Sequence, residues 1–104
     1  MLVSELYTVV KQDFEQLTIK LTTENHPIFQ AHFPGHPMLP GFALIDIIAE
    51  VLGDTVVYIQ YSKFITHLLP NDIILCKIKT DKNRRNIKIF KNTQKVSEIT
   101  YESK

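Results

Sequence analysis

Between His26 and Gly53 the chain gathers residues that can move protons: HPIFQAHFPGHPMLPGFALIDIIAEVLG. Three of its four histidines, four of its five prolines and all three glycines fall in this stretch. A histidine exchanges protons near neutral pH without a large shift, and a loop stiffened by proline can aim one. The apolar run that follows is interrupted only by Asp46 and Glu50. A carboxyl group there is costly to bury unless it has a partner or a task. Asp46 is flanked by Ile45, Ile47 and Ile48 and is expected to be desolvated, which keeps a carboxyl available as an acid. His32 and Asp46 lie fourteen positions apart (46 − 32). A base facing a protonated carboxyl suits the removal of one proton and the delivery of another to a leaving hydroxyl. Spacing alone leaves two blander assignments open: a loop histidine bonded to nearby backbone, and a carboxylate favouring a helix N-terminus. A metal is the other use for His26, His32 and His36. No carboxylate or cysteine lies between them, so neither metal nor cofactor is expected, and His26 and His36 read as loop or mouth residues.

Two elements must position these groups. Prolines at 27, 34, 37 and 40 forbid regular helix from about Asn25 to Gly41, which reads as a loop. Phe42 to Leu52 reads as one helix, stopped by Gly53. Its apolar residues cover every face, the mark of a helix buried in a core. Strands surround this unit. Tyr7–Lys11 is β-rich, and Leu17–Thr22 alternates apolar and polar residues with period two, with a turn between them. Thr55–Tyr61 is rich in β-branched and aromatic residues, and its tyrosines, Tyr58 and Tyr61, read as packing residues. Leu68–Asp72 reads as a turn, with His67 at the surface before it. Ile73–Lys79, Asn86–Phe90 and Lys95–Tyr101 read as three more strands joined by hairpin turns. Several strands and one apolar helix make an α+β domain, an antiparallel β-sheet wrapped around one central buried helix.

The bulk properties agree with one domain over residues 1–104 and exclude some functions. Twelve Lys and Arg against eleven Asp and Glu leave a formal net charge of +1, so no strong field recruits nucleic acid or an acidic membrane. The basic run Lys82–Arg85 is short and reads as a solvated turn. No run approaches the roughly 20 apolar residues of a membrane span, and the first residues lack a charged-then-apolar leader. The single cysteine, Cys76, sits in a β-like run and reads as a small buried hydrophobe in a reducing compartment. The expectation is a soluble, cytoplasmic protein.

The residues of the central stretch carry a resemblance. His32-Phe33-Pro34-Gly35-x-Pro37-x-x-Pro40-Gly41, followed by an acid at 46, resembles the signature of the hotdog-fold β-hydroxyacyl-acyl-carrier-protein dehydratases. Lys63-Phe64 and Leu69-Pro70-Asn71-Asp72 resemble that family's "KF … LPGD" segment, and the similarity runs from about Leu17 to the last residue. The resemblance implies a single hotdog domain that dehydrates a 3-hydroxyacyl thioester, carried on acyl carrier protein or coenzyme A, to the trans-2-enoyl thioester. It makes His32 the catalytic base, Asp46 the catalytic acid and Gly41 the helix-start amide that polarises the thioester carbonyl. Backbone N–H groups at a helix N-terminus suit an oxyanion. Phe33 would line the acyl site, a role that core packing explains equally well. The resemblance also implies a homodimer or higher homo-oligomer whose sites take the histidine from one subunit and the acid from the other. A thin sheet around one helix would indeed leave an edge needing cover.

Three positions depart from the resemblance. Asp46 stands where a large branch has Glu; Asp occurs in the dehydratase/isomerase branch and in small dehydratase-like proteins of aryl-polyene-type clusters. Glu50 stands where the family often has Gln. Two carboxylates four apart on a helix repel, so Glu50 is expected to keep one proton on the pair, unless it reaches solvent or a cation at a subunit boundary. Asn71 stands where the family usually has Gly, and Asn tolerates the left-handed conformation that such a turn needs. The alternatives are a hotdog thioesterase, for which His32 would be dispensable, or an isomerase, and a non-catalytic acyl-binding or structural hotdog subunit.

Overall fold

A computed structural model describes residues 5–31 and 35–104. Six strands form one antiparallel sheet: β1 Tyr7–Gln12, β2 Gln16–Leu21, β3 Val56–Phe64, β4 Ile73–Asp81, β5 Arg84–Lys91 and β6 Gln94–Ser103. Their order across the sheet is β1-β2-β4-β5-β6-β3. Two helices separate β2 from β3: the short α1, Pro27–Ala31, and the longer α2, Gly41–Leu52. The α+β expectation holds, and every strand expected from sequence is present.

Alternation builds the core. Leu17, Ile19 and Leu21 on β2, Ile74, Cys76 and Ile78 on β4, and Ile87 and Ile89 on β5 all point to one face and are buried. Ala43, Leu44, Ile47 and Ile48 of α2 are buried in the same cluster. The spacing of these four residues is that of one helical face. The opposite face of α2 is open on the single chain: Phe42 is 51% exposed, and Asp46 and Glu50 are exposed too. The sequence expectation of burial on every side is therefore corrected. One sheet can cover only one side of a helix, and apolar composition does not say what covers the other.

The loop expectation is corrected as well. Pro27 opens α1 instead of preventing it, because the first helical position has no N–H to contribute and suits the fixed φ of proline. His26 caps this helix: its Nδ1 accepts the Ile28 N–H at 3.0 Å, and its carbonyl accepts the Phe29 N–H at 3.0 Å. Phe29 thereby turns into the core, where it is 2% exposed.

Turn chemistry fixes the register. Asp13 Oδ1 accepts the N–H groups of Glu15 and Gln16 at 2.8 and 2.9 Å, closing the β1–β2 hairpin. Asn92 and Thr93 both have positive φ, 54° and 69°, as a two-residue hairpin between β5 and β6 requires. Asn71 has φ 69°, so the departure from Gly leaves the turn intact as expected. The carboxylate of Asp72 accepts the Leu69 N–H at 2.7 Å and pairs with Lys91 at 2.9 Å.

β3 is an edge strand: among the described residues it pairs only with β6, with two register shifts along that pairing. From Val57 to Phe64 every residue is exposed, including Ile59 and the tyrosines at 58 and 61. The tyrosines thus do not pack within their own chain, contrary to expectation. A long, apolar edge of this kind is normally covered. No helix among the described residues is long and apolar enough to cross a membrane.

Candidate active site

Gly41 begins α2, and Pro40, with φ −63° and ψ 146°, occupies the cap position, where it offers no side-chain cap. The carbonyl of Pro40 accepts the N–H groups of Ala43 and Leu44 at 3.0 and 3.3 Å. Glycine at this position has a steric cause. A Cβ on Gly41 would lie 2.6 Å from two ring carbons of Phe64, far inside van der Waals contact. The ring of Phe64, at the end of β3, thus lies against the backbone at the start of α2. The Phe64 ring fills the space that a side chain at position 41 would need. A cavity of about 170 Å³ opens beside this contact, lined by Met38, Gly41, Leu44, Phe64, His67 and Ser97 among others. His67 is exposed, as expected, and its side chain borders this cavity. A larger open groove of about 740 Å³ lies where His36, Met38 and Asn71 meet Glu24 and Asn25. His36 lines this groove, whereas His26 is committed to capping α1.

Asp46 sits on the second turn of α2, on the open face with Glu50. The desolvation expected of Asp46 from its isoleucine neighbours is absent from the single chain, because Ile47 and Ile48 turn inward and leave the carboxyl exposed. Covering it takes another surface. His32 and Phe33 lie outside the described residues, so the structure does not place the expected base or the expected lining ring. The described segments on either side, α1 and the stretch from Gly35, bracket that position. No group of three His, Cys, Asp or Glu among the described residues is arranged to hold a metal ion.

Glu50 has a partner that sequence reasoning missed. The Tyr7 phenol of β1 donates to Glu50 Oε1 at 2.7 Å. Burial, that hydrogen bond and the adjacent carboxylate charge push the Tyr7 pKa up to about 12. The two residues are 43 apart in sequence, and only the fold brings them together.

The far end of α2 is anchored separately. Gly53 adopts the left-handed conformation at φ 70°, and the Asp54 N–H reaches the Ala49 carbonyl at 2.9 Å, a Schellman ending. Asp54 then receives Arg85 in a two-pronged pair, Nη2 to Oδ1 at 3.0 Å and Nε to Oδ2 at 2.5 Å, together with the Tyr101 hydroxyl. Burial alone would raise the Asp54 pKa, but the hydrogen bonds from Arg85 and Tyr101 and the charge of Arg85 hold it below the ordinary value. Arg85 is therefore tied into the fold and not part of a solvated basic turn.

The solved structures bear on this architecture. The dehydratase heterocomplex ApeI:P from Xenorhabdus doucetiae matches with a TM-score of 0.76 at 25% identity, covering 93% of this chain and 96% of that one. Thioesterase superfamily member 2 from Mus musculus matches with a TM-score of 0.65 at 14% identity, over 97% of this chain and 84% of that one, a likeness of fold alone. The arrangement is thus the hotdog fold expected from sequence. Among curated relatives, the 3-hydroxyacyl-[acyl-carrier-protein] dehydratase FabZ of Caulobacter sp. (strain K31) is 32% identical over 95 residues, 77% of this chain and 58% of that protein. The FabZ of Rickettsia canadensis (strain McKiel) is 34% identical over 103 residues, 85% of this chain and 72% of that protein. The chain spans only 55% of a third such FabZ, from Fusobacterium nucleatum. Residues 9–102 match the ApeI-like family, described as ApeI dehydratase, and with this match and the relatives above the chain belongs to that dehydratase family.

Proposed function

We propose that the protein eliminates water from a 3-hydroxyacyl thioester, carried on acyl carrier protein, to give the trans-2-enoyl thioester. The observation that carries this reading is the placement of Asp46. An acid stands exposed on the open face of α2, one turn beyond the helix start at Gly41, and that start touches the β3 edge through Phe64. A second copy joined along β3 would cover the edge and bring a foreign loop over Asp46, as the hotdog dehydratase resemblance implies.

In that arrangement His32 of one subunit takes the C2 proton, and Asp46 of the other protonates the departing 3-hydroxyl. The amide at the start of α2 polarises the thioester carbonyl, which acidifies C2. The site needs no redox step: one C–H and one C–O bond break, a C=C bond forms, and the proton from C2 leaves with the base. The acyl group would enter the cavity that Phe64 lines.

Incubation with a panel of 3-hydroxyacyl carrier-protein thioesters, followed by mass spectrometry for loss of water, tests the reading. The wild type is expected to turn over, while His32→Ala and Asp46→Asn each lose about 10²–10⁴-fold, the usual contribution of a positioned acid or base. Equal rates of water loss for wild type and His32→Ala would refute the proposed mechanism. Coenzyme A thioesters in the same panel decide the carrier.

A further inference from the structure

We propose that Tyr7 is a positioning residue for the acid of this site: its phenol engages Glu50 so that Glu50 does not compete with substrate for the proton of Asp46. The proposal rests on the dehydratase reading above and names a residue that this reading does not require.

Asp46 and Glu50 lie four apart on the regular helix α2, both on its open face. Side chains so spaced have Cβ atoms about 6 Å apart. Two carboxyl groups within reach of each other tend to share one proton. A proton bridged between them is less available to a leaving hydroxyl, since the bridge must break as the C–O bond does. An amide four residues after the acid, as the dehydratase resemblance would have it, holds no such proton. This chain has a carboxyl there, and it also has a tyrosine aimed at it.

The Tyr7 hydroxyl donates to Glu50 Oε1 at 2.7 Å. A carboxylate oxygen engaged by this bond has one acceptor site fewer to offer a neighbouring acid. Glu50 is then held by a donor supplied from β1, on the same helix face as Asp46. The donor is well held. Tyr7 pairs with Leu21 across β1 and β2, the preceding Leu6 is fully buried, and the Leu6 carbonyl accepts the Thr22 N–H at 2.8 Å. The phenol therefore reaches α2 from a paired strand.

A mutant cycle on the full chain tests this, with 3-hydroxyacyl carrier-protein thioesters as substrate and water loss as readout. Tyr7→Phe keeps the ring and removes only the hydroxyl; its kcat is expected to fall about tenfold with KM held within about twofold. Glu50→Gln sets a reference rate. Adding Tyr7→Phe to Glu50→Gln is expected to leave that reference within about twofold, because glutamine has no carboxyl to compete. Thermal melts of all four proteins show whether folding differs. Should Tyr7→Phe melt early, the comparison passes to Tyr7→Gln, which restores a donor and is expected to recover part of the lost kcat. Equal losses from Tyr7→Phe in both backgrounds, or no loss in either, overturn the proposal. A wild type without turnover overturns the dehydratase reading and this proposal together, whereas an active wild type with equal losses overturns this proposal alone.

Discussion

At the scale of single residues, the contact between Gly41 and Phe64 makes a sharp claim. Gly41→Ala places a methyl 2.6 Å from the ring, so the ring or the helix start must shift. The expected cost is about 1–3 kcal/mol, typical of overpacking, measured as a lower urea midpoint. A Phe64→Leu background, with a smaller and more flexible side chain, should relieve most of it. Cys76 offers a second test. It is fully buried, and burial pushes its thiol up to about 12. The native protein should therefore resist a thiol reagent at pH 8 and react at one site only on unfolding. The sequence showed Cys76 correctly as a buried hydrophobe because β-alternation alone places it inward. Tyr7 was invisible by the same logic: nothing local in a β-rich segment says which distant carboxylate its hydroxyl will meet.

At the scale of elements, the junction of α2 with β3 depends on Asp54. Arg85→Ala removes both prongs of the pair and leaves a largely buried carboxylate with only neutral donors. A loss of about 2–4 kcal/mol is expected, read as a lower melting temperature. The pH dependence has a definite sign. The folded pKa of Asp54 lies below its unfolded value, so its contribution is complete above the unfolded pKa and is lost as the pH falls through the folded one. Wild type should thus lose more stability than Asp54→Asn on acidification below about pH 4, measured by denaturant midpoints at stepped pH. The strands, their order of appearance and α2 were legible from periodicity and stop signals. What sequence reasoning misjudged was burial. Phe42, Tyr58 and Tyr61 are apolar or aromatic residues in the right elements, yet they face out of the chain. Composition ranks a residue as worth burying without saying whose surface will bury it. The short α1 was missed for a different reason: four prolines suggested a loop, but one of them occupies the single helical position where proline is favoured.

At the scale of the whole molecule, the proposed shared sites can be tested by mixing. His32→Ala and Asp46→Asn, each inactive alone, should regain about a quarter of wild-type activity after co-refolding, since random pairing makes half the dimers mixed and each mixed dimer keeps one intact site. Recovery near zero would place both groups within one chain. Substituting Ile59→Lys on the β3 edge should abolish this recovery and shift sedimentation toward the monomer.

The β3 edge also has a thermodynamic consequence. In the proposed dimer, the row from Val57 to Phe64 leaves water only when two chains meet. Part of the free energy of folding then comes from association and follows mass action. Melting temperature should rise with protein concentration, and dilution alone should weaken the fold. Such a protein would sense its own abundance: below the concentration that sustains pairing, an apolar strand stands open to proteases and to foreign edges.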